Sequence, residues 1–202
     1  MKKVFTGLVI AISLECLAWG CRAKWLSEAD MKKYPNDPAN GLMQRVEKGE
    51  FLLEMCYRPK DLIVSQDLDD PKDITRRKET LQRLDSMDYF VLRLSRDGHE
   101  IETDFATDDE RFNEVINYLS FYISRDIFMV HEKDTIRLAD LGYARTFGSD
   151  RATSLLAVFK SNLKSKKGNT SIYFDDAMLG TGLSEFEFKI KDIKDIPQLK
   201  VN

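Results

Sequence analysis

Six short runs with the composition of β-strands follow one another closely in the second half of the chain. Neighbouring runs are separated by ten residues at most, and glycines such as Gly142, Gly168 and Gly180 lie between them. Since a parallel crossover needs about a dozen residues or more, connections this short favour antiparallel pairing. The predicted strands are residues 127–131, 135–138, 143–147, 153–160, 171–174 and 184–191.

Strand patterns also occur earlier in the chain. Residues 51–57 form an apolar run, and residues 62–65 are predicted as a second short strand. Residues 89–95 place a large apolar side chain at every second position, which is the pattern of a half-buried strand. An Asp-Gly pair follows that strand and predicts a hairpin into residues 99–105.

Helices are predicted at two places. Asp70 can cap a helix that begins at Pro71, and Asp73 falls in its first turn, where a negative charge meets the positive end of the helix dipole. Thr107 and Glu110 have the spacing of a capping box, and apolar residues recur after them at three- and four-residue steps. These patterns predict an α+β fold, a mostly antiparallel sheet with two amphipathic helices packed on it.

The first twenty-one residues have the composition of an export signal. Lys2 and Lys3 form a short positive end, and a largely apolar run over residues 4–14 follows. This run is too short to cross a bilayer, because a transmembrane helix needs about 20 apolar residues. A charged start, a short apolar middle and small residues near the end are typical of a secretory signal peptide.

The end of this segment resembles the lipobox of bacterial lipoproteins, in which small residues precede a cysteine. Ala18 and Gly20 are the small residues here, and Cys21 is the cysteine. The resemblance implies cleavage before Cys21 and attachment of acyl chains such as palmitate, which hold a protein firmly on a membrane when there are two or more. Arg22, where an inner-membrane lipoprotein often has aspartate, implies placement at the outer membrane. An ordinary signal peptide cut elsewhere and an uncleaved anchor are the alternatives.

The chain is therefore expected to have three parts. Residues 1–20 are the predicted signal peptide. Residues 21–41 are charged and contain Pro35 and Pro38, so they are predicted to form a lipidated tether. Residues 42–202 have the length of a single α+β domain. The formal net charge of −3 argues against nucleic acid as a partner, since nucleic-acid binders normally carry a basic surface.

The three cysteines of the chain are Cys16, Cys21 and Cys56. Signal cleavage would remove Cys16 and lipidation would use Cys21, so Cys56 would have no disulfide partner. Cys56 lies in an apolar run, and a buried thiol is expected there. A reactive thiol would need a basic neighbourhood, and Arg58 is the cation nearby in the sequence.

The sequence contains no familiar catalytic motif: no GxSxG, no GxxxxGK, no GxGxxG and no CxxC. Its two histidines, His99 and His131, are too few for a histidine-rich zinc site. No catalytic residue and no cofactor are therefore assigned, and the sequence argues for a binding protein more than for an enzyme.

Asp175 and Asp176 are the acidic residues that the local pattern explains least. They follow a predicted strand and precede Gly180 and Gly182, and they are weak candidates for metal ligands. The alternative is that they are solvated charges in a surface turn.

Together these patterns predict an exported, lipid-anchored protein of the cell envelope, at the outer membrane, that binds or assembles with an envelope protein or glycan. One alternative is a hydrolase of envelope material, which needs two carboxylates about 5–10 Å apart in one concave pocket. The other is a metal-dependent ligand binder that uses Asp175 and Asp176. A binding role requires an exposed apolar surface or an open sheet edge.

Overall fold

A computed structural model describes residues 25–67 and 73–200 of the protein. The predicted signal peptide, Cys21 and the proposed helix cap at Asp70 lie outside the described residues. Among the described residues there is no helix that combines the length and the apolar character needed to cross a membrane.

The main element of the described chain is one strongly curved antiparallel sheet of nine strands. A separate two-stranded parallel sheet joins the start of the described chain to its end. In chain order the strands are β1 (Trp25–Leu26), β2 (Met43–Lys48), β3 (Phe51–Arg58), β4 (Met87–Arg96), β5 (His99–Glu100), β6 (Ile127–His131), β7 (Asp134–Tyr143), β8 (Thr153–Lys160), β9 (Asn169–Asp176), β10 (Gly182–Lys189) and β11 (Gln198–Leu199).

The large sheet is close to a closed barrel. Its strand order is β10-β9-β6-β7-β8-β4-β3-β2, with β5 paired to the end of β4. The two outer strands approach each other, and the Lys48 ammonium on β2 donates a hydrogen bond of 3.1 Å to the carbonyl oxygen of Leu183 on β10. The α+β class and the mostly antiparallel sheet are therefore confirmed.

Alternating side chains from the curved strands fill the interior of this sheet. Phe90 lies at its centre, where its ring makes edge-on contacts with Tyr57, Phe159 and Phe188 at centroid distances of 5.2, 6.0 and 5.1 Å. All four side chains are fully buried. These contacting rings form a packed core at the centre of the sheet, and burial of each ring contributes about 1.5–3 kcal/mol.

The prediction of two helices on the sheet is wrong, because the described residues form five α-helices. Three of the five have only five to eight residues, too few for a helical repeat to stand out in the sequence. The helices are α1 (Glu28–Lys33), α2 (Lys60–Asp67), α3 (Ile74–Arg83), α4 (Asp109–Asn117) and α5 (Ile190–Lys194).

Helix α2 replaces the strand that was predicted over residues 62–65. A short apolar run fits a buried strand and a buried helix equally well, and tertiary packing decides between them. Here Leu62 packs in a small cluster with Met31 of α1 and Leu199 of β11. A helix brings that side chain to the cluster.

The caps of the two longer helices differ from the predicted ones. Helix α3 starts at Ile74 and is capped by Asp73, whose carboxylate accepts a hydrogen bond of 2.9 Å from the Arg76 amide. In α4 the cap is Asp108, one residue after the predicted Thr107. Aspartate caps a helix at least as well as threonine, which explains the shift by one residue.

Two predicted strand boundaries are also wrong. The single strand β7 contains the predicted strand 135–138, continues past a bulge between Leu138 and Asp140, and ends at Tyr143. Residues 144–147, predicted as part of a separate strand, are not in a strand. The predicted hairpin over residues 99–105 is reduced to β5, after which Ile101–Phe105 forms 3₁₀ turns.

Residues 25–41, the described part of the predicted tether, are folded on the domain and do not stand away from it. β1 pairs with β11, and α1 buries Met31. Pro35 and Pro38 each lie in a 3₁₀ turn, and Gly41 ends the second turn with a φ of 67°. Prolines that favour an irregular linker in the sequence therefore start compact turns in the structure.

Candidate ligand-binding groove

An open groove of about 520 Å³ lies on the outer face of the sheet beside α2. Cavities that hold small molecules have volumes of about 300–1,000 Å³ and mostly apolar walls. Ile63 and Gln66 of α2 form one wall, and residues of β4, β8 and β7 form the floor. The groove is therefore large enough for a small organic molecule.

The floor follows one row of paired residues across three neighbouring strands. Val91 on β4 lies opposite Leu156 on β8, and Leu156 lies opposite Gly142 on β7. Gly142 has no side chain, and a Cβ atom built there would lie 3.6 Å from the Leu156 Cβ, an ordinary contact. The absence of a side chain at Gly142 therefore leaves space in the floor.

Arg58, the last residue of β3, is the cation that lines the groove. Its side chain is partly buried, and burial lowers the pKa of the guanidinium below its ordinary value. Among the side chains that the structure describes, those of residues 25–66 and 73–200, no carboxylate forms an ion pair with it. A partly desolvated guanidinium without a partner favours the binding of an anion.

Other arginines around α2 and β3 are paired, which sets Arg58 apart. Arg45 and Arg93 contact Glu54 on β3 at 2.7 and 3.3 Å. Arg77 of α3 contacts Asp61 of α2 at 2.5 Å. The neighbouring cations are therefore neutralised by the protein itself.

A smaller cavity of about 170 Å³ lies past the end of β7. The guanidinium of Arg145 stands between the rings of Phe112 and Phe147, 4.8 and 4.4 Å from their centroids. The buried carboxylate of Glu102 also lines this cavity and accepts a hydrogen bond of 2.7 Å from the Tyr143 hydroxyl. Tyr143 lines the larger groove, so this hydrogen bond connects the linings of the two cavities.

The loop after β7 is held by a second buried carboxylate, that of Glu100. It accepts hydrogen bonds from the amides of Gly148 and Asp150 at 2.6 and 2.8 Å and from the Thr146 hydroxyl. Burial alone would raise the pKa of Glu100, but these donors stabilise the carboxylate and the pKa is lowered. The sequence contained no pattern that pointed to Glu100 or Glu102.

Asp175 and Asp176 point to opposite faces of β9, and only Asp176 is buried. The carboxylate of Asp176 accepts hydrogen bonds from the amides of Met178, Leu179 and Thr181 at 3.0, 2.9 and 2.8 Å, and from the Thr181 hydroxyl at 2.9 Å. These bonds explain Asp176 as the anchor of the following loop. In the part of the chain that the structure describes, no three His, Cys, Asp or Glu side chains come together as a metal site.

The prediction that Cys56 is buried is confirmed. Its thiol lies 3.5 Å from the carbonyl oxygen of Pro35, and burial raises its pKa to about 11. His99 is exposed, whereas His131 is buried with its Nδ1 at 3.2 Å from the Asn169 carbonyl oxygen. Neither histidine lines the groove or the smaller cavity.

Comparison with known proteins returns no matching family model, no matching curated protein and no matching solved structure. The interpretation of the groove therefore rests on its own geometry and charge.

Proposed function

We propose that this protein is an exported binding protein of the cell envelope, attached to the outer membrane by acyl chains on Cys21, whose domain binds a small ligand in the groove. The observation that carries the binding role is an apolar groove of about 520 Å³ lined by Arg58, which pairs with no carboxylate among the described side chains. Its described lining residues include no histidine, cysteine, aspartate or glutamate. Binding is therefore favoured over acid–base or nucleophilic catalysis.

The start of the folded chain supports attachment close to the membrane. Trp25 belongs to β1, so the chain between Cys21 and the fold can span at most about 14 Å. The Trp25 side chain is 54% exposed, and tryptophan favours the interface between membrane and water. A domain on so short a connection would stand next to the lipid surface.

The anchor is tested by labelling with radioactive palmitate in a bacterial host. The wild-type chain is expected to take up label and to fractionate with membranes, and Cys21→Ser is expected to lose both properties. Cys56→Ser is the matched control and should keep the label. Label that persists in Cys21→Ser would refute the proposed acylation site.

The groove is tested with a neutral photoreactive probe, a diazirine-bearing alkyl methyl ester, on the detergent-solubilised full chain. Peptides of β7 and β8 should be cross-linked, and Gly142→Leu should abolish this labelling because its side chain fills the floor. Ala139→Leu adds similar bulk at an exposed position of the same strand and should leave the labelling unchanged. Equal labelling of the wild type and Gly142→Leu would overturn the groove as the binding site.

A further inference from the structure

We infer that the ligand of the groove is an amphipathic organic acid, with a single carboxylate at Arg58 and an apolar body along the strand floor. This inference rests on the proposed binding function and adds the class of ligand. It follows from the charge of the groove, its number of cations and the direction of its floor.

The positive charge of the groove comes from Arg58. Arg58 lines the groove with a half-buried side chain, and this partial loss of hydration lowers the pKa of its guanidinium. Glu54, four residues before Arg58 on the same face of β3, forms ion pairs with Arg45 and Arg93. A ligand carboxylate would supply the missing counter-charge, and a planar guanidinium binds a carboxylate through two parallel hydrogen bonds.

The number of cations limits the charge of the ligand. Among the described lining residues Arg58 is the only cation, and the other polar side chains, Gln66, Ser154 and Tyr143, are neutral. One guanidinium balances one negative charge, so a monoanion fits the groove better than a phosphate dianion or a polyanion. The tyrosine hydroxyl already donates to Glu102, and it is not free to donate to the ligand.

The floor sets the shape of the ligand body. Arg58 on β3 lies opposite Tyr89 on β4, two residues from Val91, and the row of Val91, Leu156 and Gly142 crosses β4, β8 and β7. Three strand spacings of about 4.8 Å give a path of about 14 Å. With Ile63 forming the wall, this path is apolar along its length and fits an extended alkyl chain or a flat ring system.

The test compares a diazirine-bearing fatty acid with its methyl ester, because the two probes differ in charge and share the same apolar body. The wild-type full chain should be labelled in the groove by the acid at concentrations at least tenfold lower than by the ester. In Arg58→Gln the advantage of the acid should disappear, a loss of roughly tenfold or more, while labelling by the ester stays unchanged. Arg58→Lys should retain part of the advantage.

Arg125→Gln is the matched control, since it removes an exposed arginine that contacts Tyr122 and lines neither cavity. Thermal unfolding of each variant checks that the fold is intact. Equal labelling of the wild type by acid and ester, or an unchanged advantage in Arg58→Gln, would overturn the inference about the ligand class. Absence of groove labelling by both probes would instead overturn the binding function itself.

Discussion

The carboxylate of Glu100 accepts a hydrogen bond of 2.6 Å from the backbone amide of Gly148, which lies 48 residues further along the chain. Through this bond a fully buried acid holds a loop that has little regular structure of its own. The same loop carries Arg145 and Phe147, which line the smaller cavity. Glu100 therefore positions one end of the cavity region without touching either cavity.

Replacing Glu100 should destabilise the protein. Glu100→Gln keeps the shape of the side chain but loses the charge and one acceptor oxygen. One of the hydrogen bonds from the amides of Gly148 and Asp150 is therefore lost or weakened. We expect the free energy of unfolding in urea to fall by about 1–3 kcal/mol. Glu110→Gln, at an exposed position in the first turn of α4, is the control and should change it by less than about 0.5 kcal/mol. Equal effects of the two substitutions would contradict the anchoring role.

The contribution of Glu100 should depend on pH in a defined direction. Its pKa in the folded protein is lowered from 4.5, so the unfolded chain binds this proton more readily. The stabilisation is therefore complete above the unfolded pKa and is lost as the pH falls through the folded pKa. The difference in unfolding free energy between the wild type and Glu100→Gln should shrink between about pH 6 and pH 3. A difference that stays constant over this range would refute the assignment.

Substitutions of the neighbouring residues Asp175 and Asp176 should affect the stability of the protein very differently, because only Asp176 is buried. Asp176→Ala removes the acceptor of three loop amides and should lower the free energy of unfolding by about 2–3 kcal/mol. Asp175→Ala changes an exposed side chain and should have an effect below about 0.5 kcal/mol. Adding Ca²⁺ or Mg²⁺ should leave the unfolding midpoint unchanged, and a rise in the midpoint that Asp176→Ala removes would restore the metal-site hypothesis.

The thiol of Cys56 should react slowly in the folded protein. Its pKa of about 11 leaves little thiolate at pH 8, and its burial limits access. In a Cys16→Ser, Cys21→Ser background, labelling with a disulfide reagent should be slow in buffer and complete at once in denaturant. Fast labelling without denaturant would show that the thiol is accessible.

Local patterns predicted much of the sheet because the alternation of side chains is a property of each strand by itself. The strands at residues 127–131 and 153–160 have the predicted bounds, and the burial of Cys56 followed from its apolar run. Gly142 was interpreted as a turn between two strands, yet it lies within β7. A glycine interrupts the alternation of side chains both in a turn and within a strand. Only the pairing of Gly142 with Leu156 shows that this glycine lies within a strand.

The candidate groove could not be derived in the same way. Arg58 was considered only as a cation near Cys56, whereas in the structure it faces residues of β4, β7 and β8 that lie more than thirty positions away. The helix that completes the wall had been predicted as a strand, since its short apolar run carries no decisive period.

The sequence by itself determined the α+β class, the antiparallel pairing and most of the strands, because hydrophobic alternation and short connections act over a few residues. Only the tertiary structure decided the near closure of the sheet, the five helices of the described residues and the half-buried position of Arg58 in the groove. The physical reason is that desolvation and charge pairing depend on which distant segments meet, and no short stretch of sequence contains that information.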